Sequence, residues 1–333
     1  MRQGMQWVAG LALMASGAGM ADAATFSGLY VFGDSLVDSG NARIGSALKG
    51  LPEQAKPADG FFAGRFSNYY NFADDIAFAI TGAPATAYLA GGRNFSVGGA
   101  LAQYSTTESS PSFLAQLVTF QSTKQTIASD ALVLVTFGGN DVRATAGTAG
   151  TIDFTQAVTD LTTGLTGLYL AGARNIVVTG LPDIGQLPSA QAVASIPGRL
   201  KDLTDRSNQL NTEFDNAVTD VRKDTGANVV FFDLLDYENK LIANPAAYRL
   251  PATLNTKTPC QILGGGFPQF GNCANSLYFD GIHPTFQIHA AIASAIETQI
   301  GIAPEPGSWT MMIVGFGMVG FTMRRARGVK LAA

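Results

Sequence analysis

The sequence predicts a three-layer α/β/α domain with a five-stranded, mainly parallel sheet. Two observations carry this reading. Four short runs, at residues 28–32, 131–137, 175–179 and 228–232, are aliphatic, β-branched or aromatic at nearly every position. Such runs suit strands buried on both faces, the hallmark of a parallel sheet covered by helices. Between the runs lie segments with apolar residues at helical spacing, 111–124, 153–173, 199–223 and 284–300. Strand and helix therefore alternate along the chain, which is the order of an α/β fold.

In chain order, Met1 and Arg2 precede an apolar stretch from Met5 to Met20 that ends in Ala21-Asp22-Ala23. A basic start, an apolar core and a small-residue site make a secretory signal peptide, with residues 1–23 removed after Ala23. The first strand follows at 28–32. Residues 45–64 carry few strand or helix signals and read as a long connection, and a fifth strand is expected within 85–97. Helix 111–124, strand 131–137, helix 153–173, strand 175–179, helix 199–223 and strand 228–232 come next. Residues 244–278 form a second long connection, and connections of that length in a compact domain shape or cover a binding cleft. Within it Cys260 and Cys273 flank a segment rich in glycine and proline. In an exported chain the two are expected to pair, closing a short loop worth about 3 kcal/mol. Helix 284–300 ends the domain, which spans 24–302.

Pro304-Glu305-Pro306-Gly307 then breaks the chain, and Ser308 to Met323 is free of charge before Arg324, Arg325 and Arg327. At about 1.5 Å per residue this stretch is about 24 Å long, a short transmembrane segment against a ~30 Å hydrocarbon core. Residues 303–333 are thus separate from the fold, and the 333-residue length holds one domain plus targeting segments rather than two domains.

Composition excludes several functions. Charged residues are 14% of the chain against about 25% usually, and 47% are apolar. This is not a disordered chain. With 21 Lys+Arg against 25 Asp+Glu it has no general attraction for phosphate backbones, so no nucleic-acid partner is expected. Setting aside both ends removes Arg2, Arg324, Arg325, Arg327 and Lys330 but only Asp22 and Glu305, so the remaining body is more acidic than the whole. Two histidines and two cysteines rule out multi-histidine and four-cysteine zinc sites. There is no phosphate loop, no dinucleotide fingerprint and no His-Glu-x-x-His, so no metal and no organic cofactor is expected.

In open parallel sheets ligands bind beyond the carboxyl ends of the strands. The first strand runs into Gly33-Asp34-Ser35-Leu36, the third into Gly138-Gly139-Asn140-Asp141, and Asp280-Gly281-Ile282-His283 precedes the last helix. Taken singly these are ordinary: a helix cap, a glycine turn, a surface histidine. Together they put a hydroxyl, an imidazole and a carboxylate at converging strand ends, and a serine nucleophile needs a base that is itself oriented. Only His283 and His289 can be that base. His289 lies six residues into the helical pattern, about 120° off the face of His283, which makes His283 the stronger candidate. Asp280, three residues before it, can reach its ring.

These blocks, with Asn94-Phe95-Ser96-Val97-Gly98-Gly99-Ala100 between them, resemble in content and order those of the SGNH, or GDSL, hydrolases, whose fold is flavodoxin-like. Gly64-Arg65-Phe66-Ser67-Asn68 also resembles a stretch of secreted members, although Tyr69 stands where a glycine is expected. The resemblance implies Ser35 as nucleophile, His283 as base and then acid, and Asp280 as its orienter. It implies an oxyanion hole from the backbone N–H of Ser35, that of Gly99 (or the adjacent Gly98) and the amide of Asn140, and a carboxylic ester as substrate. No Gly-x-Ser-x-Gly elbow occurs, which speaks against an ordinary α/β-hydrolase. The alternative is a non-catalytic surface or matrix protein that keeps the hydrolase fold.

The tail, Pro-Glu-Pro followed by an apolar segment and an arginine cluster, resembles the PEP-CTERM sorting signal of Gram-negative bacteria. That implies a precursor held transiently in the inner membrane, processing by an exosortase-type enzyme, and delivery to the cell surface or extracellular matrix.

Overall fold

The computed structural model describes residues 25–107 and 109–302. The expected signal peptide at 1–23 and sorting tail at 303–333 lie outside them. No helix among the described residues is long and apolar enough to cross a membrane.

Four parallel strands form the sheet in the order β1 (Leu29–Gly33), β2 (Leu132–Thr136), β3 (Asn175–Thr179) and β4 (Asn228–Phe232). Their sequences explain their place. In β1 and β2 every residue is buried, so no polar alternation survives. The registers Gly33↔Thr136, Thr136↔Thr179 and Thr179↔Phe232 align the carboxyl ends in one row. Whatever follows each strand therefore emerges along the same edge.

The expected fifth strand is not a full strand. Residues 93–97 do run parallel to β1 along its free side, through Val31 N–H to Arg93 O (3.1 Å), Phe95 N–H to Val31 O (2.7 Å) and Val97 N–H to Gly33 O (3.0 Å). The pairing reduces to a single bridge at Val31 and Asn94, so the sheet has four strands rather than five. The cause is local. A helical turn at Tyr88–Ala90, closed by Gly91 at φ 88°, interrupts the segment, and the Asn94 side chain turns away to cap Val37 O and Ser39 Oγ. Counted as an edge strand, the segment gives the order second, first, third, fourth, fifth, which is flavodoxin-like.

Helices α1 (Asn41–Leu48), α2 (Phe72–Thr81), α3 (Phe113–Ser122), α4 (Gly139–Arg143), α5 (Thr155–Leu170), α6 (Arg199–Thr225), α7 (Leu234–Ala243) and α8 (Phe286–Gln299) complete the domain. Tyr30 and Phe32 of β1 meet Phe120 of α3 at 5.8 and 6.0 Å between ring centroids. Side chains alternate along a strand, so Leu29 and Val31 face the opposite layer. On the first face α3 packs on α5 and α5 on α6; on the other, α2 packs on α8.

Three helices fall where the sequence carries weaker signals. α1 runs into the expected 45–64 connection. α2 is set by a capping box in which Asn71 Oδ1 accepts from Ala73 and Asp74 N–H while Asp74 Oδ2 accepts from Asn71 N–H, and Gly82 at φ 73° ends it. α7 begins where Asp233 accepts the Asp236 N–H. Residues 244–278 hold only short single-turn helices, in line with the expected long connection.

Candidate active site

Ser35 lies two residues past the end of β1, and the turn that carries it is tied from three sides. Asp34 N–H donates to Thr136 O at 3.1 Å, Asp34 Oδ1 accepts Leu36 N–H at 2.9 Å, and Gln116 of α3 bonds both Gly33 N–H (2.9 Å) and Gly33 O (2.8 Å). Gly33 has to be glycine, because a Cβ there would stand 2.5 Å from Val37 Cγ2 and 2.8 Å from Thr136 O.

His283 comes from the turn before α8. Phe279 N–H to His283 O (2.8 Å) closes that turn, and Ser189 N–H to Gly281 O (2.8 Å) ties it to the segment after β3. His283 Nε2 lies 2.8 Å from Ser35 Oγ, and its Nδ1 lies 2.7 Å from Asp280 Oδ2. The other carboxylate oxygen, Oδ1, accepts the N–H of Ile282 (2.8 Å) and of His283 (2.7 Å). Burial works to raise the Asp280 pKa, but the His283 charge, its ring N–H and these two backbone N–H groups outweigh it and hold the carboxyl below its ordinary value. An ionised Asp280 keeps the Nδ1 proton in place, so that Nε2 faces Ser35 as an acceptor. The three residues read from sequence spacing are thus one connected chain, with Ser35 and His283 9% and 6% exposed.

His289 is elsewhere. It is buried in α8 with its ring 5.7 Å from Phe72, and burial, helped by the His283 charge, pushes its pKa down to about 3. It stays neutral and away from Ser35.

The donors expected around the oxyanion separate cleanly. Gly98 N–H is occupied by Asp38 Oδ2 at 2.9 Å. Gly99 N–H meets no acceptor among the described residues, and Gly99 sits at φ 85°, where an L side chain is strained. Gly99 is therefore the glycine with an N–H to offer. Ser35 N–H is equally without an acceptor among the described residues. Asn140, on α4, gives one N–H to Ala100 O at 2.9 Å, keeps the second, and receives Arg143 Nη1 on Oδ1 at 2.8 Å.

Several further residues contribute to the site. Asp38 accepts four backbone N–H groups, from Gly40, Asn41, Ala42 and Gly98, and so fixes the start of α1 to the 98–99 turn. Asp141 likewise holds Ala102 (2.9 Å) and Gln103 (3.1 Å). Burial pushes Asp34 up to about 7, against the Leu36 N–H and the His283 charge. Phe66 lies over His283 with centroids 5.1 Å apart and also packs on Gly98, where a Cβ would be 2.4 Å from its ring. Nothing in the sequence marks Gln116 or Arg143. Phe66 stands in the Gly64–Asn68 stretch, which is the signal that points to it.

Cys260 and Cys273 form a disulfide and are fully buried against Phe279. The loop they close abuts the segment that carries Phe66, through Phe267 N–H to Gly60 O (2.8 Å) and Gln261 Nε2 to Asp59 O (2.8 Å).

A serine hydroxyl, an imidazole and a carboxylate thus form one hydrogen-bonded chain at the carboxyl edge of a parallel, flavodoxin-like sheet. Residues 29–296 match the model of the GDSL-like Lipase/Acylhydrolase family, and the chain belongs to that family. A GDSL esterase/lipase of Arabidopsis thaliana is 26% identical over 149 residues, covering 40% of this chain and 40% of that protein. A second from the same plant is 25% identical over 336 residues, covering 80% of this chain and 88% of its own length. Among solved structures, an acetylxylan esterase from Geobacillus stearothermophilus aligns with 84% of this chain and 98% of its own, at 14% identity and a TM-score of 0.44.

Proposed function

We propose that the chain is a serine esterase acting on carboxylic esters with a short acyl group. The observation that carries this reading is the pair of contacts on His283, 2.8 Å to Ser35 Oγ and 2.7 Å to Asp280 Oδ2. Ser35 Oγ attacks the ester carbonyl as its proton passes to His283 Nε2. Negative charge grows on the carbonyl oxygen, where the N–H groups of Ser35, Gly99 and Asn140 receive it. His283 then returns the proton to the leaving alcohol, and the acyl group is left on Ser35. Water, deprotonated by the same imidazole, releases the acid. Asp280 stabilises the imidazolium in both halves.

Substrate size is argued from the recess beside Ser35. It is bounded by Leu36, Pro182, Ile184, Leu187 and Ile282 and measures about 20 Å³, on a scale where one water needs about 10–15 Å³. A small acyl group such as an acetyl suits such a space. We therefore put an acetyl ester, such as acetylated polysaccharide, ahead of a long-chain lipid as the natural substrate. We place the enzyme outside the cytoplasm, sent there by residues 1–23 and sorted through 303–333 by an exosortase-type enzyme. The mass of the protein released at the cell surface tests this, since a species that retains Arg327 contradicts processing.

The enzymatic test is hydrolysis of nitrophenyl acetate, butyrate and octanoate by wild type and Ser35→Ala. Wild type is expected to prefer acetate, and Ser35→Ala to lose about 10⁴-fold or more in kcat. Equal rates for the two proteins on all three esters would sink the esterase reading.

A further inference from the structure

We propose that Arg143 is a positioning residue for the oxyanion site, fixing the Asn140 amide so that its free N–H is presented to the substrate. The inference rests on the esterase reading above.

An asparagine amide has two chemically opposite ends, an oxygen that only accepts and a nitrogen that only donates. Asn140 has a partner for each. Arg143, three residues on in α4, sets Nη1 2.8 Å from Oδ1 and can only donate. The Ala100 carbonyl sets its oxygen 2.9 Å from Nδ2 and can only accept. Turning the amide over would face the guanidinium with NH₂ and the Ala100 oxygen with Oδ1, two repulsive contacts in place of two hydrogen bonds. One orientation is therefore selected by chemistry, and in it the second Nδ2 hydrogen remains for a ligand.

Arg143 is committed to this contact in an unusual way for a half-buried cation. No carboxylate among the described residues lies within ion-pair distance of its guanidinium, although Asp34 and Asp280 are near enough to act on its charge, and the guanidinium's one hydrogen bond among them goes to the neutral Asn140 amide. It lines the same recess as Ser35 and Asn140. Its charge also pulls electron density toward Oδ1, which makes the Nδ2 hydrogens better donors to a developing oxyanion. Ground-state binding of an ester carbonyl gains little from this, so the effect belongs in kcat rather than KM.

The test is a double-mutant cycle on the full-length protein with nitrophenyl acetate, using wild type, Arg143→Met, Asn140→Ala, the double variant and Arg143→Lys. Asn140→Ala should lose about 10²–10³-fold in kcat, the range for one oxyanion donor. Arg143→Met should lose about 10-fold or more with KM changed less than about threefold. In the Asn140→Ala background the same change should cost less than about twofold, because the residue it acts through is gone. Arg143→Lys, which keeps a donor and a charge, should recover part of the loss. Arg143→Met within twofold of wild type overturns the proposal, as does a double variant whose losses multiply. An Asn140→Ala variant as fast as wild type removes both this inference and the oxyanion assignment, whereas loss in Asn140→Ala without loss in Arg143→Met leaves the esterase reading standing alone.

Discussion

Replacing both cysteines probes stability and the site together. Cys260 and Cys273 are 13 residues apart, and closing a loop of that length removes unfolded-state entropy worth about 3 kcal/mol. For a domain of this size about 1 kcal/mol shifts the midpoint by roughly 2–4 °C, so Cys260→Ala/Cys273→Ala should melt about 6–12 °C below wild type. The site should respond as well. The bridged loop supports Phe267 and Gln261 against Gly60 and Asp59, and Phe279 beside the bridge packs edge-on against Phe61 at 5.0 Å. Phe61 in turn meets Phe66 at 6.1 Å, and Phe66 covers His283 at 5.1 Å. Loosening that column should raise KM several-fold while Ser35, His283 and Asp280 stay in register. Calorimetry and ester kinetics on both proteins, with and without reductant, provide the measurement. Wild type should shift on reduction and the variant should not. A variant that melts within about 2 °C of a wild type shown by mass to be oxidised would refute the loop-entropy reasoning, and an unchanged KM would refute the coupling through Phe61.

Two further outcomes follow from buried groups. Gly98→Ala would bring a Cβ within 2.4 Å of the Phe66 ring, so a loss of about 1–3 kcal/mol and a fall in kcat are expected; Gly98→Ala/Phe66→Leu should regain part of both, and a Gly98→Ala enzyme with wild-type melting and rate contradicts the packing. Burial, reinforced by the Asp183 charge, pushes Glu238 up to about 8 from an ordinary 4.5. A folded pKa above the unfolded one gives stability that is complete below about pH 4.5 and lost as pH rises toward 8, on the order of 5 kcal/mol at most. Glu238→Gln cannot titrate, so its melting temperature should gain on wild type between pH 5 and 8; parallel curves for the two proteins would exclude Glu238 as the source of the slope.

How far the sequence speaks depends on how local each cause is. The four strands are legible because their centres are apolar at every position, with the polar residues Thr136, Asn175, Thr179 and Asn228 only at strand ends. The 93–97 edge is harder, since its order comes from β1 and from Asn94 bonding across to Val37, 57 residues away in sequence. α2 announces itself through Asn71 and Asp74, a signal easily lost beside the polar Ser67-Asn68-Tyr69-Tyr70 run that precedes it. In the site, Ser35, Asn140, Asp280 and His283 are readable because strand ends and turns confine them. Gln116 is not, for its work is to bond Gly33 from 83 residues away, and a glutamine on a helix looks like any solvated position. The choice between Gly98 and Gly99 is beyond spacing altogether and turns on which N–H Asp38 has taken.

Three acidic residues of the body are turned away from the proposed oxyanion site. Anions near a developing negative charge should oppose catalysis, yet Asp38, Asp141 and Asp160 all approach the segment that follows residue 97. Each is turned toward backbone N–H groups: Asp38 to Gly98, Asp141 to Ala102 and Gln103, Asp160 to Tyr104 at 2.7 Å. These carboxylates thus pair donors that would otherwise be buried without partners, and burial outweighs the bonds at Asp38, pushed up to about 6, and at Asp141, also raised. Ala100 N–H is taken by Val97 O at 3.1 Å, while Ser110 Oγ ties down Gly98 O at 2.7 Å. With the peptide groups on either side of it held, Gly99 cannot rotate its N–H away from the site without breaking bonds to separate elements. The rigidity that makes such a donor effective comes from Val97 O and Ser110 Oγ on its two flanking peptide groups, with Asp38 holding the N–H one residue before.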